Sequence, residues 1–178
     1  MNKNRCNWAG SEEIYIKYHD EEWGIPTHDD KELFEMLVLE SFQAGLSWIT
    51  ILKKRENFKK AFDDFDVAKV ANFNDDKVNE LLQNDGIIRH KGKITSAINN
   101  AQIFIEIQEE FGSFDDYIWG FTDGKIIKAE FLTESELSKH ISKDLKKRGM
   151  KFVGPTIIYS YLESIGIIDN HQESCFKY

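Results

Sequence analysis

Four residues of the kinds that bind zinc lie at the two ends of this chain. Cys6 and His19 lie near the start, and His171 and Cys175 lie near the end of the 178-residue sequence. The second pair has the spacing His-x3-Cys, so both side chains can reach one ion from a single turn. Two cysteines and two histidines fill the tetrahedral shell of a structural zinc. We therefore expect one zinc to join the N-terminal and C-terminal segments.

The same residues leave two other interpretations open. The spacing can arise by chance, or Cys6 and Cys175 can form a disulfide. Residues 1–15 contain no apolar stretch of the kind found in a secretory signal peptide. We therefore expect a cytoplasmic protein with reduced thiols, and this favours a metal over a disulfide.

Length and composition predict one domain that spans residues 1–178. The sequence is 41% hydrophobic, which is enough for a packed core, and it contains no apolar run that could cross a membrane. We expect two helical lobes that share one core, no membrane partner and a monomer.

Helical signals dominate the chain and predict an all-α fold. Asp29 and Glu32 have the spacing of a helix cap and precede a long apolar run. Similar patterns predict helices at about 75–84, 91–111, 134–148 and 155–165. A weak turn signal at Asp123 and Gly124 predicts a minor β-hairpin between Phe121 and Ile126.

The last two of these helices predict a helix-hairpin-helix at about residues 134–165. Thr133 and Glu136 fit a capping box, Gly149 fits a helix C-cap, and Pro155 fits the first position of the following helix. The backbone amides that follow Gly154 would lie free at a helix N-terminus. Such amides bind anions readily.

Basic residues concentrate near this predicted hairpin, although the formal net charge of the chain is −8. The interval 139–151 contains six basic residues and one acid, and the interval 86–105 contains three basic residues and no acid. A charge run is often only a solvated helix face. Because the denser run coincides with the hairpin, we favour phosphate binding by Lys146, Lys147, Lys151 and the Gly154 backbone.

Glu40 is the acid that the helical pattern explains least well. It shares a helix face with apolar or small residues, so an ionised carboxylate there needs either a ligand or hydrogen bonds from a loop. Four residues with amphipathic aromatic rings occur nearby in the sequence: Tyr15, Tyr18, Trp23 and Trp48. Aromatic walls around one carboxylate suit a flat cationic ring.

Two long motifs around these residues resemble the DNA-3-methyladenine glycosylase I family. They read Tyr15-x-x-Tyr18-His19-Asp20-x-Glu22-Trp23-Gly24 and Leu39-Glu40-x-x-Gln43-Ala44-Gly45-Leu46-Ser47-Trp48. The segments Gly86-Ile87-Ile88-Arg89 and Lys151-Phe152-Val153-Gly154 are also similar to that family. The resemblance covers almost the whole chain.

This resemblance implies a helix-hairpin-helix glycosylase in which Cys6, His19, His171 and Cys175 hold a structural zinc. It also implies a base pocket formed by Tyr18, Trp23, Glu40 and Trp48, with Tyr15 at its edge. Such an enzyme flips 3-methyladenine out of double-stranded alkylated DNA and hydrolyses the N-glycosidic bond, with Glu40 as the catalytic group. The products are free 3-methyladenine and an abasic site.

The sequence limits the mechanism in two ways. No motif positions a lysine as a Schiff-base nucleophile, so we expect a monofunctional enzyme without lyase activity. Many helix-hairpin-helix glycosylases have an essential Asp after the hairpin, and the residue at this place, Asp169, is not assigned a catalytic role.

Two other classes of protein remain as alternatives. A non-catalytic zinc-stapled DNA-binding module would need the hairpin but not Glu40 among aromatic rings. A zinc hydrolase would need three protein ligands and a water, and the four-ligand set argues against it.

Overall fold

α-Helices make up most of the protein in the computed structural model, which describes residues 3–129 and 132–178. They are α1 (Glu13–Glu21), α2 (Asp30–Gln43), α3 (Trp48–Ala61), α4 (Val67–Ala71), α5 (Asp75–Gln83), α6 (Lys91–Phe111), α7 (Phe114–Gly120), α8 (Glu136–Lys147) and α9 (Pro155–Ser164). Two 3-10 turns cover Asn7–Ala9 and Asp63–Phe65, and two short strands are β1 (Ile127–Lys128) and β2 (Ile168–Asp169). Within these ranges, no helix has both the length and the apolar character needed to cross a membrane.

Helix α2 lies at the centre of the core. Every residue from position 33 to position 42 is buried, because α3, α6, α7 and α9 all pack against this helix. A helix that is apolar on most faces is stable only in such a position. The Asp29 side chain accepts a hydrogen bond from the backbone N–H of Glu32 at 3.0 Å, which confirms the predicted helix start.

The other predicted helices agree with the structure, except for the cap of α8. The helix begins at Glu136 and is capped by Ser135, whereas we expected Thr133. Ser135 Oγ accepts from the N–H of Ser138 at 3.2 Å, and Ser138 Oγ accepts from the N–H of Ser135 at 2.9 Å. These two serines form the reciprocal bonds of a capping box without a glutamate, so the sequence pattern was misleading.

The predicted hairpin between Phe121 and Ile126 is wrong. Residues 121–124 form turns that end α7, and Gly124 N–H bonds the carbonyl of Trp119 at 3.0 Å. Strand β1 instead pairs in parallel with β2, about forty residues further along the chain, with Ile127 opposite Ile168. A long-range pair of this kind leaves no local sequence signal.

Candidate active site

A cavity of about 230 Å³ opens between helices α1, α2, α3 and α9. It contains all five residues that the sequence predicts to form a base pocket: Tyr15, Tyr18, Trp23, Glu40 and Trp48. The further lining residues are Trp8, Gln43, Leu132, Thr133, Thr156, Tyr159, Ser160 and Glu163. The structure therefore brings together residues that are separated by more than 150 positions in the sequence.

Aromatic rings form most of the wall of this cavity. The rings of Tyr18 and Trp48 lie 5.4 Å apart between centroids and are tilted by 48°. Trp8 packs edge-on against Trp23 at 4.9 Å and contacts Tyr15 at 5.1 Å. Ring contacts of this kind hold the aromatic faces in fixed orientations. A flat ligand would enter a pocket whose walls are already arranged.

Glu40 lies near the C-terminal end of α2 and is buried, with only 4% of its surface exposed. Burial raises its pKa well above the ordinary value, and the nearby carboxyl group of Glu163 raises it further. Burial and the charge of Glu40 also raise the pKa of Tyr15. No lysine, arginine or histidine lines the cavity in the described chain. The described lining of the pocket therefore contains acidic groups and no basic side chain that would repel a cationic ligand.

Trp8 and Glu163 are two of the eight lining residues that the sequence reasoning did not find. Trp8 precedes the first motif and had no helical pattern to place it. Glu163 lies on the apolar helix α9 between Leu162 and Ser164, both of which are buried. An acid on an apolar helix face is the same signal that identified Glu40, so Glu163 was detectable from the sequence.

Lys93 stabilises the loop that connects α2 to α3, the two helices that carry Glu40 and Trp48. Its ammonium group donates to the backbone carbonyls of Phe42 at 2.8 Å and Ala44 at 2.6 Å, and the side chain is buried. A cation at this position satisfies the last carbonyls of α2 and interacts favourably with the helix dipole. Lys93 is thus not part of a basic surface, so only two of the three basic residues counted in the interval 86–105, Arg89 and Lys91, are exposed.

Three of the four predicted metal ligands converge in a second buried cluster. The ligand atoms of Cys6, His19 and Cys175 all lie within 4.8 Å of one another. The ring of His171 stands edge-on to that of His19 with centroids 5.6 Å apart. Its Nε2 atom is buried and has no hydrogen-bond partner among the described residues. An orphaned imidazole nitrogen beside this group is the expected position of a fourth ligand.

Carboxylates orient both histidines of this cluster. His19 Nδ1 lies 2.9 Å from Asp20 Oδ1, and His171 Nδ1 lies 2.7 Å from Asp169 Oδ1. In each case the carboxylate contacts Nδ1, which leaves Nε2 as the atom that could bind a metal, as in carboxylate–histidine–metal arrangements. Arg5 in turn binds Asp20 through two bonds of 2.8 and 2.7 Å. Asp169 therefore has a clear structural role beside His171.

The two cysteines are free thiols and do not form a disulfide. Burial raises the pKa of Cys6 to about 11, and the neighbouring Cys175 also raises it. Backbone N–H groups of Gln172 and Lys177 point at the Cys6 and Cys175 sulfurs at 3.4 and 3.5 Å. Such N–H groups favour thiolates, and a bound dication would favour them far more. The donor set thus fits a zinc ion.

The end of α8 and the segment that connects it to α9, residues 148–154, together present a basic surface. Lys146, Lys147 and Lys151 are exposed, and none of them forms an ion pair within the described ranges. Two other basic residues of the run are neutralised: Lys139 by Glu134 and Glu136, and Arg148 by Glu110 and Asp144. Gly154 caps α9 without a side-chain bond, so the first amides of that helix remain available.

Polar side chains hold the 148–154 segment against the core. Asn99 Nδ2 donates to the carbonyl of Gly149 at 2.9 Å, and Ser142 Oγ donates to that of Val153 at 2.7 Å. Within the segment Phe152 has a φ of +55°, which is unfavourable for a residue with a side chain. The surrounding bonds are what keep this strained conformation in place.

Together these features define a class of protein: a helical fold with a deep aromatic and acidic pocket, a buried Cys-His cluster at the joined termini and a basic helix–helix connection nearby. A family model described as methyladenine glycosylase matches residues 8–178. The chain belongs to that family.

Individual relatives agree with this membership. DNA-3-methyladenine glycosylase 1 of Escherichia coli K12 is 45% identical over 180 residues, which cover 98% of this chain and 96% of that protein. A crystal structure of 3-methyladenine DNA glycosylase I superposes with a TM-score of 0.94 and 45% identity, with 97% of this chain and 98% of that chain covered. The Staphylococcus aureus enzyme, solved for its recognition of 3-methyladenine, gives a TM-score of 0.93 at 37% identity, with 98% and 96% covered.

Proposed function

We propose that this protein is a DNA repair glycosylase that excises 3-methyladenine from alkylated DNA. The observation that carries the proposal is Glu40, a buried carboxyl group at the base of an aromatic cavity without a cation in its lining. The relatives described above, which are up to 45% identical over nearly the full chain, are named for this activity. The family and the pocket chemistry therefore support the same reaction.

The cavity requires that the base leaves the duplex. A base within stacked DNA cannot reach an enclosed pocket, so the nucleotide must be extruded. Methylation at N3 makes adenine cationic and weakens its pairing, so extrusion costs less for this base than for adenine. Aromatic faces from Tyr18 and Trp48 then attract the cationic ring, and Glu40 stabilises it by charge and hydrogen bonding.

The charge on the base also makes it a good leaving group. When the bond between the base and C1′ breaks, the bonding electron pair goes to the ring, and neutral 3-methyladenine forms. Water adds to C1′ and loses a proton, which leaves an abasic site. No lysine lines the described part of the cavity, so the wall supplies no amine for a Schiff base, in agreement with a monofunctional glycosylase.

Helices α8 and α9 and their connection form the proposed DNA-binding element, a helix-hairpin-helix. The exposed Lys146, Lys147 and Lys151 would neutralise phosphates, and the amides after Gly154 would bind one phosphate at the N-terminus of α9. Helix α9 also carries Tyr159 and Glu163 into the pocket. Phosphate contacts at the start of α9 would thus fix the position of the DNA relative to the cavity.

Cys6, His19, His171 and Cys175 would hold one structural zinc. With four protein ligands the ion has no open position for a water, so its part is to stabilise the joined termini. Trp23 contacts the His171 ring at 4.7 Å and also lines the cavity. The cluster therefore supports one wall of the pocket.

Release of bases from methylated DNA tests the proposal. The protein is incubated with DNA treated with a methylating agent, and the released bases are separated by chromatography. Free 3-methyladenine together with new abasic sites is the expected result. Binding to the same DNA without any base release would instead identify a non-catalytic DNA-binding module. Glu40→Gln provides the control for a contaminating activity.

A further inference from the structure

The pocket contains a second carboxyl group that the reaction described above does not use. Glu163 projects from α9, which packs against α2, the helix that carries Glu40. Both side chains line the same cavity, and the charge of Glu163 acts on Glu40 strongly enough to raise its pKa. Two acids therefore line one small cavity.

Among the described residues, no positively charged side chain lines the cavity beside Glu163. The other titratable groups of the cavity wall are Tyr15 and Tyr18 on α1, Glu40 on α2 and Tyr159 on α9. The uncharged Asn170, which follows β2, hydrogen-bonds Glu163 and lowers its pKa, but burial has the larger effect and raises it. In a structural ion pair the partner would be a lysine or arginine, and none lines this cavity in the described chain.

We propose that Glu163 is a second substrate-binding carboxyl group, which acts with Glu40 to select a cationic base over a neutral one. This inference rests on the proposed glycosylase function. Two neighbouring carboxylates repel each other in a cavity of low dielectric, so the free pocket retains protons. A cationic ring would offset that repulsion, whereas a neutral ring would not. Selection by charge then follows from the pair of acids.

The protonation of Glu163 predicts when this effect operates. Burial raises its pKa to about 8. At lower pH the group is a neutral carboxylic acid, which a glutamine side chain resembles in shape and charge. Above this pKa it is a carboxylate, which glutamine does not replace. A comparison across this range therefore separates the charge of Glu163 from its shape.

The test measures binding of two small probes by tryptophan fluorescence, since Trp8, Trp23 and Trp48 line the cavity. The cationic probe is 3,9-dimethyladeninium, in which a methyl group replaces the sugar, and the neutral probe is 9-methyladenine, which lacks only the N3 methyl group. At about pH 9 we expect Glu163→Gln to lose about tenfold in affinity for the cation, near the lower end for hydrogen bonds to charged groups. At about pH 6 it should bind both probes within twofold of the parent, because a protonated carboxyl group and an amide carry no charge.

Two further variants complete the design. Glu163→Asp retains the charge and should retain most of the rise in cation affinity with pH. Glu109→Gln removes an exposed carboxylate from α6 and serves as the matched control, with no expected change. Melting temperatures of all variants check the fold.

The two possible failures can be told apart. If the parent protein releases no 3-methyladenine from methylated DNA, the proposed function is wrong. If the parent is active but Glu163→Gln binds the cation equally well at both pH values, Glu163 is a structural residue and the inference is overturned. Equal losses for the cationic and the neutral probe would also overturn it.

Discussion

Asn100 holds the backbone of Lys151 from both sides. Its Nδ2 donates to the Lys151 carbonyl at 2.8 Å, and its Oδ1 accepts from the Lys151 N–H at 3.0 Å. Asn100 is buried on α6, so the rigid core of the protein fixes the position of the basic 148–154 segment. The conformation of the proposed DNA-binding element therefore depends on a helix that lies outside it.

Asn100→Ala should weaken DNA binding through this clamp. Loss of the two part-buried bonds leaves the backbone groups of Lys151 without this partner, at a cost of about 0.5–1.5 kcal/mol each. Part of this cost will appear as lower stability and part as a disordered 148–154 segment. Gln102→Ala is the control, since Gln102 lies on the same helix and bonds only the carbonyl of Ala71. Fluorescence anisotropy with duplex DNA should show a loss for Asn100→Ala that Gln102→Ala does not share.

Neutralisation of the exposed lysines should reduce the salt dependence of DNA binding. Each phosphate contact contributes a slope of about −0.9 to the plot of log K against log salt. Lys147→Gln and Lys151→Gln should each make the measured slope less steep by about this amount. Lys139→Gln is the control. Lys139 lies on α8, as Lys147 does, but two glutamates already pair with it. If the slopes for Lys147→Gln and Lys151→Gln were no less steep than the slope for Lys139→Gln, the DNA would bind a different surface.

Removal of the metal should destabilise the protein. Elemental analysis should find one zinc per chain, and chelation should lower the melting temperature. For a domain of this size each kcal/mol of lost stability lowers the melting temperature by about 2–4 °C. His171→Ala should lower zinc content and stability together, whereas His140→Ala, an exposed histidine that contacts Phe121, should change neither. Metal-free protein with unchanged helicity and melting temperature would contradict the structural role.

Glu40→Gln should bind free 3-methyladenine more weakly by about 1–3 kcal/mol, the range for loss of a hydrogen bond to a charged or buried group. Isothermal titration measures this loss, and excision from methylated DNA should fall with it. Equal binding and excision by the variant and the parent would show that the carboxyl group is only structural.

Glu40→Gln should weaken ligand binding, but it should favour the stability of the folded protein as the pH rises. The pKa of Glu40 is raised in the folded protein, so between about pH 4.5 and that pKa the unfolded chain loses its proton first. The contribution of Glu40 to stability is present below about pH 4.5 and is lost as the pH rises. Relative to the parent, Glu40→Gln should therefore be more stable at about pH 8 than at about pH 4. Thermal melts at both pH values test this, and a constant difference between the two proteins would contradict it.

Local signals in the sequence accounted for most of the helices. Asp29 caps α2, Pro155 begins α9, and Gly149 has the positive φ of a C-cap, because each of these features depends on a few neighbouring residues. The predicted cap of α8, Thr133, was wrong because Ser135 and Ser138 form the capping box instead. The hairpin at Phe121 was wrong because the pairing of β1 with β2 depends on residues far away in the chain.

The sequence by itself determined the helical class, the burial of Glu40 and the residue types of the metal cluster, since each follows from periodicity or from side-chain chemistry. Tertiary structure alone decided the rest. It placed Trp8 and Glu163 in the cavity and buried Lys93 at the end of α2. These relations depend on how whole helices pack, which is set by the summed contacts of the core and by no single segment.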